Sequence, residues 1–181
     1  FAVSPDGWIY VYRELHQPGL IVSEAAKKIL EYSCGEEPEE LYMPPDMASR
    51  QKDSGRTMAE LFYENGISGK AADNRRVAGW LAVKELLKPV SDPYGGKTPR
   101  LRIFKNCTTL IAHLPALVRD EKNGSDASSH PHEITHICDA LRYFALSYRE
   151  KEPPAPALSP LEEAKRKALK RAKTGSRRSA F

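Results

Sequence analysis

Long apolar runs are missing from this sequence. None approaches the roughly 18 residues that a bilayer-spanning helix needs, and no secretory leader opens the chain. The expectation is a soluble cytoplasmic chain with no membrane partner. Cysteine is scarce as well. Cys34, Cys107 and Cys138 are odd in number and form no Cys-x-x-Cys pair, which excludes a disulfide framework and a cysteine-based zinc site. Three buried, reduced thiols are expected. An initiator Met is also lacking, so the chain starting at Phe1 is expected to be a piece of a longer polypeptide. No internal repeat is visible.

Charge of one sign is weak over most of the chain. The 181 residues hold 28 Lys and Arg against 24 Asp and Glu, a net charge of +4. Residues 151–181 carry nine basic and three acidic side chains, hence +6, which leaves −2 for residues 1–150. The basicity belongs to the tail. Any action of the compact part on an anionic partner must come from local placement of charge.

What is present is a 40% hydrophobic chain, enough for one core. Residues 1–3 read as a strand, Ser4-Pro5-Asp6-Gly7 as a hairpin turn, and the aromatic, β-branched segment 8–12, continuing to Arg13 and Glu14, as the second strand. Ala25, Ala26, Ile29, Leu30 and Tyr32 repeat at helical spacing after Ser23. Leu41-Tyr42-Met43 reads as a short buried strand that delivers Asp46 at its end. Residues 57–65 predict an amphipathic helix capped by Gly66, and residues 67–72 a second strand. Residues 76–87 predict a helix with Val77, Trp80, Leu81 and Leu87 on one side. A turn-rich loop at 92–98, a strand at 100–104, a helix at 108–118, a polar loop at 120–129 and a last helix at 131–148 complete the order. That order predicts an α/β fold whose sheet mixes an antiparallel hairpin with parallel strands and is flanked by helices. Pro153, Pro154 and Pro156 mark a linker. Ser159-Pro160-Leu161-Glu162 then reads as a capping box opening a basic helix to about Lys173. The expected domains are 1–150 and a linker with basic tail, 151–181.

Asp46 and Asp139 are the candidate chemistry. Asp46 stands where a strand leaves the sheet, where open α/β folds place their sites. Asp139 lies three residues after His136, so the two share a helix face. Hard oxygen donors of this kind suit Mg²⁺ or Mn²⁺, and a two-ion nuclease needs several of them together. Glu14 reads as a surface residue before it reads as part of such a site, and Asp6 as a plain turn residue.

Several segments carry a resemblance. Leu41-Tyr42-Met43-Pro44-Pro45-Asp46, followed by Thr57 to Phe62 and Asn65-Gly66-Ile67, resembles the second acidic motif of phage terminase large subunits. Asp73-Asn74-Arg75-Arg76-Val77-Ala78-Gly79-Trp80 resembles the Asn/Arg-Gly segment that follows in that family. Arg102-Ile103-Phe104 with Cys107, Leu110, Ile111 and Leu114-Pro115 looks like its next strand and helix. His136-Ile137-Cys138-Asp139-Ala140-Leu141-Arg142-Tyr143 is similar to its closing His-x-x-Asp-Ala-Leu-Arg-Tyr motif. The hairpin strand from Trp8 to Glu14 matches the element before all these, so the resemblance is collinear over about 150 residues.

The resemblance implies an RNase H-like nuclease that cuts double-stranded, concatemeric DNA during packaging in the cytoplasm of a bacterial host. It implies two Mg²⁺ or Mn²⁺ ions held by three acids. Asp46 would be the second acid, Asp139 the third, and His136 an accessory residue near the ions. The first acid belongs on the opening strand, upstream of Phe1, and Asp6 does not replace it. Without it the chain is expected to bind metal poorly and to cut weakly or not at all. The implied partners are an upstream ATPase domain of the same polypeptide, the portal ring and the small terminase subunit.

Other readings stand beside this one. His132-Glu133-Ile134-Thr135-His136 matches the His-Glu-x-x-His pattern of zinc peptidases, although it falls in the first turn of a helix and no third ligand follows at a familiar spacing. His130, His132 and His136 could also gather a stray metal. A non-catalytic DNA- or portal-docking module, driven by the basic tail, is the third reading. Arg75, Arg76, Arg142 and Lys122 are the candidate DNA contacts, Arg75 and Arg76 alternatively forming a capped, solvated helix start, and Arg142 alternatively touching a nearby carboxylate or packing its stem against the sheet. No base-reading element is evident, so little sequence preference is expected.

Overall fold

The structure is a computed structural model that describes residues 1–52, 55–92 and 95–148. The expected linker and basic helix of residues 151–181 lie outside the described residues. The chain opens with a hairpin. Strand β1 (Ala2–Val3) runs antiparallel to β2 (Ile9–Val11), and the Ser4–Gly7 turn between them closes through Gly7 N–H on Ser4 O at 2.9 Å. In β2 the side chains alternate, Ile9 and Val11 inward and Tyr10 half-exposed, as a strand with one face on the core requires. Strand β7 (Leu101–Ile103) lies parallel on the other edge of β2, so a three-stranded mixed sheet forms in the order β1-β2-β7. The expected α/β class with a mixed sheet is what the structure has.

Between β2 and β7 the chain builds a second, smaller layer. Helix α1 (Val22–Ser33) and helix α2 (Met58–Glu64) pack Ala26 and Phe62 around Met43 of strand β3 (Tyr42–Met43) and Ile67. Helix α2 owes its limits to local chemistry. Thr57 Oγ1 accepts from Glu60 N–H at 3.0 Å while the Glu60 carboxylate accepts from Thr57 N–H at 2.8 Å, a reciprocal cap. At the other end Gly66 takes φ 82°, and Gly66 and Ile67 donate their N–H groups to Tyr63 and Phe62 carbonyls, each at 3.0 Å. The buried pair Ile67 and Phe62 seals that turn, as the expected glycine cap requires. Strand β4 (Lys70–Ala71) pairs with β3 in parallel, Tyr42 opposite Lys70 and Met43 opposite Ala71. It is shorter than the expected 67–72.

Helix α3 (Arg76–Leu87), helix α4 (Thr108–His113) and helix α5 (His132–Ser147) cover the three-stranded sheet. Ile9, Leu101, Leu110, Leu141 and Val83 form the main core between them, each 3% exposed or less. Full burial of one such side chain contributes about 1.5–3 kcal/mol. Three expectations need correction. On α3 the buried side is Gly79, Trp80 and Val83, whereas Val77 and Leu81 are 42% and 59% exposed. Helix α4 stops at His113 and passes into a 3-10 turn, Leu114–Ala116, because Pro115 has no N–H for the ladder. The expected loop at 92–98 is flanked by a two-stranded ribbon, β5 (Pro89–Ser91) with β6 (Lys97–Pro99). Among the described residues no helix is long and apolar enough to cross a membrane.

Candidate functional site

Helix α5 carries the closing motif, and its buried stripe explains how Asp139 is presented. Thr135, Cys138, Leu141, Arg142 and Ala145 recur at helical spacing and are buried. Asp139 sits at the margin of that stripe, its side chain 21% exposed. Its Oδ1 accepts a hydrogen bond from Arg142 Nε at 2.8 Å, one turn further along the helix, and lies 3.7 Å from Arg76 Nη1 at the start of α3. Two guanidinium groups thus share one carboxylate oxygen, and Oδ2 of Asp139 has no partner among the described residues.

Arg142 is the largest fully buried side chain, 1% exposed. Besides Asp139, it donates from Nη2 to Asn74 Oδ1 at 3.1 Å. Its guanidinium carbon stands 4.4 Å from the centre of the Tyr143 ring and 5.8 Å from that of Trp80. Helix α3 passes so close that a Cβ on Gly79 would fall 2.5 Å from Arg142 Cγ, so only glycine fits there without displacement. This placement makes Arg142 an internal anchor. The expected phosphate contact is corrected to the carboxylate contact that was its alternative.

Arg76 is tied inward as well. Nε donates to Asp126 Oδ2 and Nη2 to the Ala127 carbonyl, both at 2.9 Å. Asp126 also accepts from Trp80 Nε1 at 3.0 Å and from Ala127 N–H at 2.7 Å. Burial pushes the Asp126 carboxyl up, but the bonds from Arg76 and Ala127, with the Arg76 charge, outweigh it and hold it below the usual range. The loop before α5 is therefore strapped to α3 through Asp126 and the Ala127 carbonyl. Arg75 is exposed and folds back on Asp73, which accepts from its Nε at 2.9 Å and its Nη2 at 2.6 Å. Lys122 is exposed in the strap, where its N–H donates to Asp120 Oδ1 at 2.9 Å. These two remain free to face solvent.

Asp46 is exposed in a 3-10 turn, Pro45–Ala48, directly after β3. Its carboxylate has no partner among the described residues. Because β3 and β4 are parallel, both release the chain in one direction, Asp46 and Asn74 each three residues past the paired positions Met43 and Ala71. The β3–β4 pair is fastened to α5 at Ser147. Tyr42 Oη donates to the Ser147 carbonyl and Asp73 N–H to Ser147 Oγ, both at 3.1 Å. From there the chain runs beside α5, meeting Arg142 through Asn74 and Asp139 through Arg76.

His136 is exposed one turn before Asp139. Its ring stacks on that of His132 with centres 5.6 Å apart, and His132 meets His130 edge to face at 4.6 Å. Among the described residues no three His, Cys, Asp or Glu side chains gather as a metal site, neither around these histidines nor around Asp46 and Asp139. For a divalent cation the donor chemistry fits in kind, hard oxygens on Asp46 and on Oδ2 of Asp139, but two acids fall short of the several that a pair of ions requires. Glu14 is no part of this group. Its carboxylate accepts from Thr109 N–H at 2.7 Å and Leu110 N–H at 3.0 Å and so caps α4. Sequence reasoning missed Asn74 as an anchor for Arg142 and Asp126 as an anchor for Arg76. Asn74 had a signal in lying just past a strand end, whereas Asp126 is one polar residue among many in its loop. Compared with known protein families, with curated proteins and with solved structures, the chain matches none of them.

Proposed function

We propose that this chain is the nuclease domain of a phage terminase large subunit, RNase H-like in fold, which cuts concatemeric double-stranded DNA during genome packaging. The observation that carries this reading is the attachment of the Asp139 helix to the end of the β3–β4 pair. Through Arg142–Asn74 and Tyr42–Ser147, α5 is fixed beside the strands that deliver Asp46. Two acids far apart in the chain are thereby mounted on adjoining elements, as the collinear motifs require.

In this reading Asp46 and Asp139 hold Mg²⁺ or Mn²⁺ through carboxylate oxygens, with a further acid supplied upstream of Phe1. Such ions lower the pKa of a bound water and stabilise the leaving 3′ oxygen of a phosphodiester. The chain's own residues do the rest. Asp139 is oriented by Arg142, and Arg76 ties the strap beside the same carboxylate. His136 stands in solvent on the Asp139 face of α5, where it reaches DNA or the ions. Arg75 and Lys122, both exposed, bind phosphates by charge and add affinity that falls with salt. The upstream ATPase domain, the portal ring and the small subunit are the proposed partners.

The test is Mn²⁺-dependent nicking of supercoiled plasmid by the chain extended upstream through its expected first acid. Asp46→Ala and Asp139→Asn should each reduce nicking to background while leaving the melting temperature within a few degrees, since Asn keeps the oxygen that accepts from Arg142. Nicking that persists in Asp139→Asn removes the reading.

A further inference from the structure

Arg142 presents a physical puzzle. A buried guanidinium is expensive to desolvate, and replacing a buried ion pair by apolar side chains of like volume is often neutral or stabilising. Here the compensation is incomplete. Nε has Asp139 and Nη2 has Asn74, but Nη1 is buried with no hydrogen-bond acceptor, facing only the weaker attraction of the aromatic rings. A methionine here would relieve that cost but leave Asp139 and Asn74 without their shared donor. The arrangement instead favours geometry, because Nε and Nη2 lie on one rigid edge of the guanidinium plane. Two acceptors bound to that edge are held at a fixed separation. One is the carboxylate of Asp139 on α5, and the other is the amide of Asn74 at the exit of β4.

We propose that Arg142 is a positioning residue, which sets the Asp139 carboxylate at a fixed place relative to the strand ends that deliver Asp46. This rests on the metal-dependent reading above and adds to it the residue that fixes the site's width. Three observations converge on it. Arg142 bridges the two elements that carry the acids. Its stem is locked by Gly79, whose missing Cβ admits it. Its bond falls on Oδ1 of Asp139 and leaves Oδ2 for a cation. A lysine would keep the charge but lose the fork, and a methionine would keep the packing but lose both bonds.

The experiment reads Mn²⁺ binding directly, by calorimetric titration and by paramagnetic broadening of the Asp139 amide signal, with no cleavage involved. The upstream-extended chain is used as wild type, Arg142→Met, Arg142→Lys and Asn74→Ala, with melting temperatures recorded alongside. Partners that orient a ligating group typically contribute about 10–100-fold to metal affinity. Arg142→Met is expected to weaken Mn²⁺ binding by about that factor while the melting temperature stays within a few degrees of wild type, because the Asp139 carboxylate is open enough to be rehydrated. Arg142→Lys should weaken it similarly. Asn74→Ala, at an exposed position that tolerates truncation, should weaken it by a smaller factor of about 3–10, the equivalent of one neutral hydrogen bond. Unchanged Mn²⁺ affinity in Arg142→Met and Asn74→Ala overturns the positioning role. Absence of Mn²⁺ binding in the wild-type chain itself overturns the proposed nuclease, and this inference with it.

Discussion

Glu14 shows how far one side chain's role can depend on a distant segment. It stands three residues past β2, and its two oxygens satisfy the amides of Thr109 and Leu110, which belong to the unpaired first turn of α4. A carboxylate there is also favoured by the positive end of the helix. Glu14→Ala is expected to destabilise the chain by about 0.5–2 kcal/mol, the range for lost caps, measured by urea unfolding. Mn²⁺ affinity should stay the same, and a drop would return Glu14 to the metal site. Nothing in the local sequence announces this cap, since the partners stand some 95 positions apart. Arg142 was only half legible for a similar reason. Its spacing from Asp139 was readable as a helical pair, but its burial depends on a glycine in another helix.

Among the elements, the strap before α5 hangs on a carboxylate that titrates. Asp126 joins it to Arg76 and Trp80, supported by the bridge between Arg119 and Ala127. Because the folded Asp126 carboxyl lies below its ordinary value, its contribution is present above about pH 4, near the unfolded carboxyl pKa. That contribution fades as the pH falls further and is gone below the lowered pKa of the folded form. The protection of amides across residues 119–128, taken against their intrinsic exchange rates, should therefore fall as the pH drops below about 4, while protection in the α5 core persists. Asp126→Asn should show the lowered protection already at pH 7, and full protection in that variant would refute the strap. The longer elements of the fold were legible because strong periodicity or alternation marks them, as with β2, α1, α2 and α5. Ribbon β5–β6 was not. Pro89 and Pro99 face each other in it, and proline reads as a strand breaker although a two-stranded edge tolerates it. The buried face of α3 was misread because its contact residue is Gly79, which hydrophobic periodicity does not count.

For the whole molecule, the three thiols divide in a way that reports on folding. Cys34 is exposed at the end of α1, which corrects the expectation of three buried thiols, while Cys107 and Cys138 lie in the main core. Burial, with the Asp139 carboxylate beside it, pushes the Cys138 thiol up to about 12, and burial with Glu14 nearby raises Cys107. Since the thiolate is the reactive form, a disulfide reagent at pH 8 should label one thiol in the native chain and all three in denaturant. Rapid native labelling of three would mean that the core is open. Among the described residues there are two centres of packing. Ile9, Leu141 and their neighbours form one, and Ala26, Met43, Phe62 and Ile67 form the other.

Asp139 rides on the first of these bodies and Asp46 on the second. The polar contacts at their seam include Arg142 with Asn74, Tyr42 and Asp73 with Ser147, and Arg13 with Tyr32 and Glu36. A small slide along that seam would change the gap between the acids while leaving both packed interiors intact. In the proposed nuclease, the spacing of the two acids would then follow from how the two packed interiors seat on each other, with no segment having to unfold.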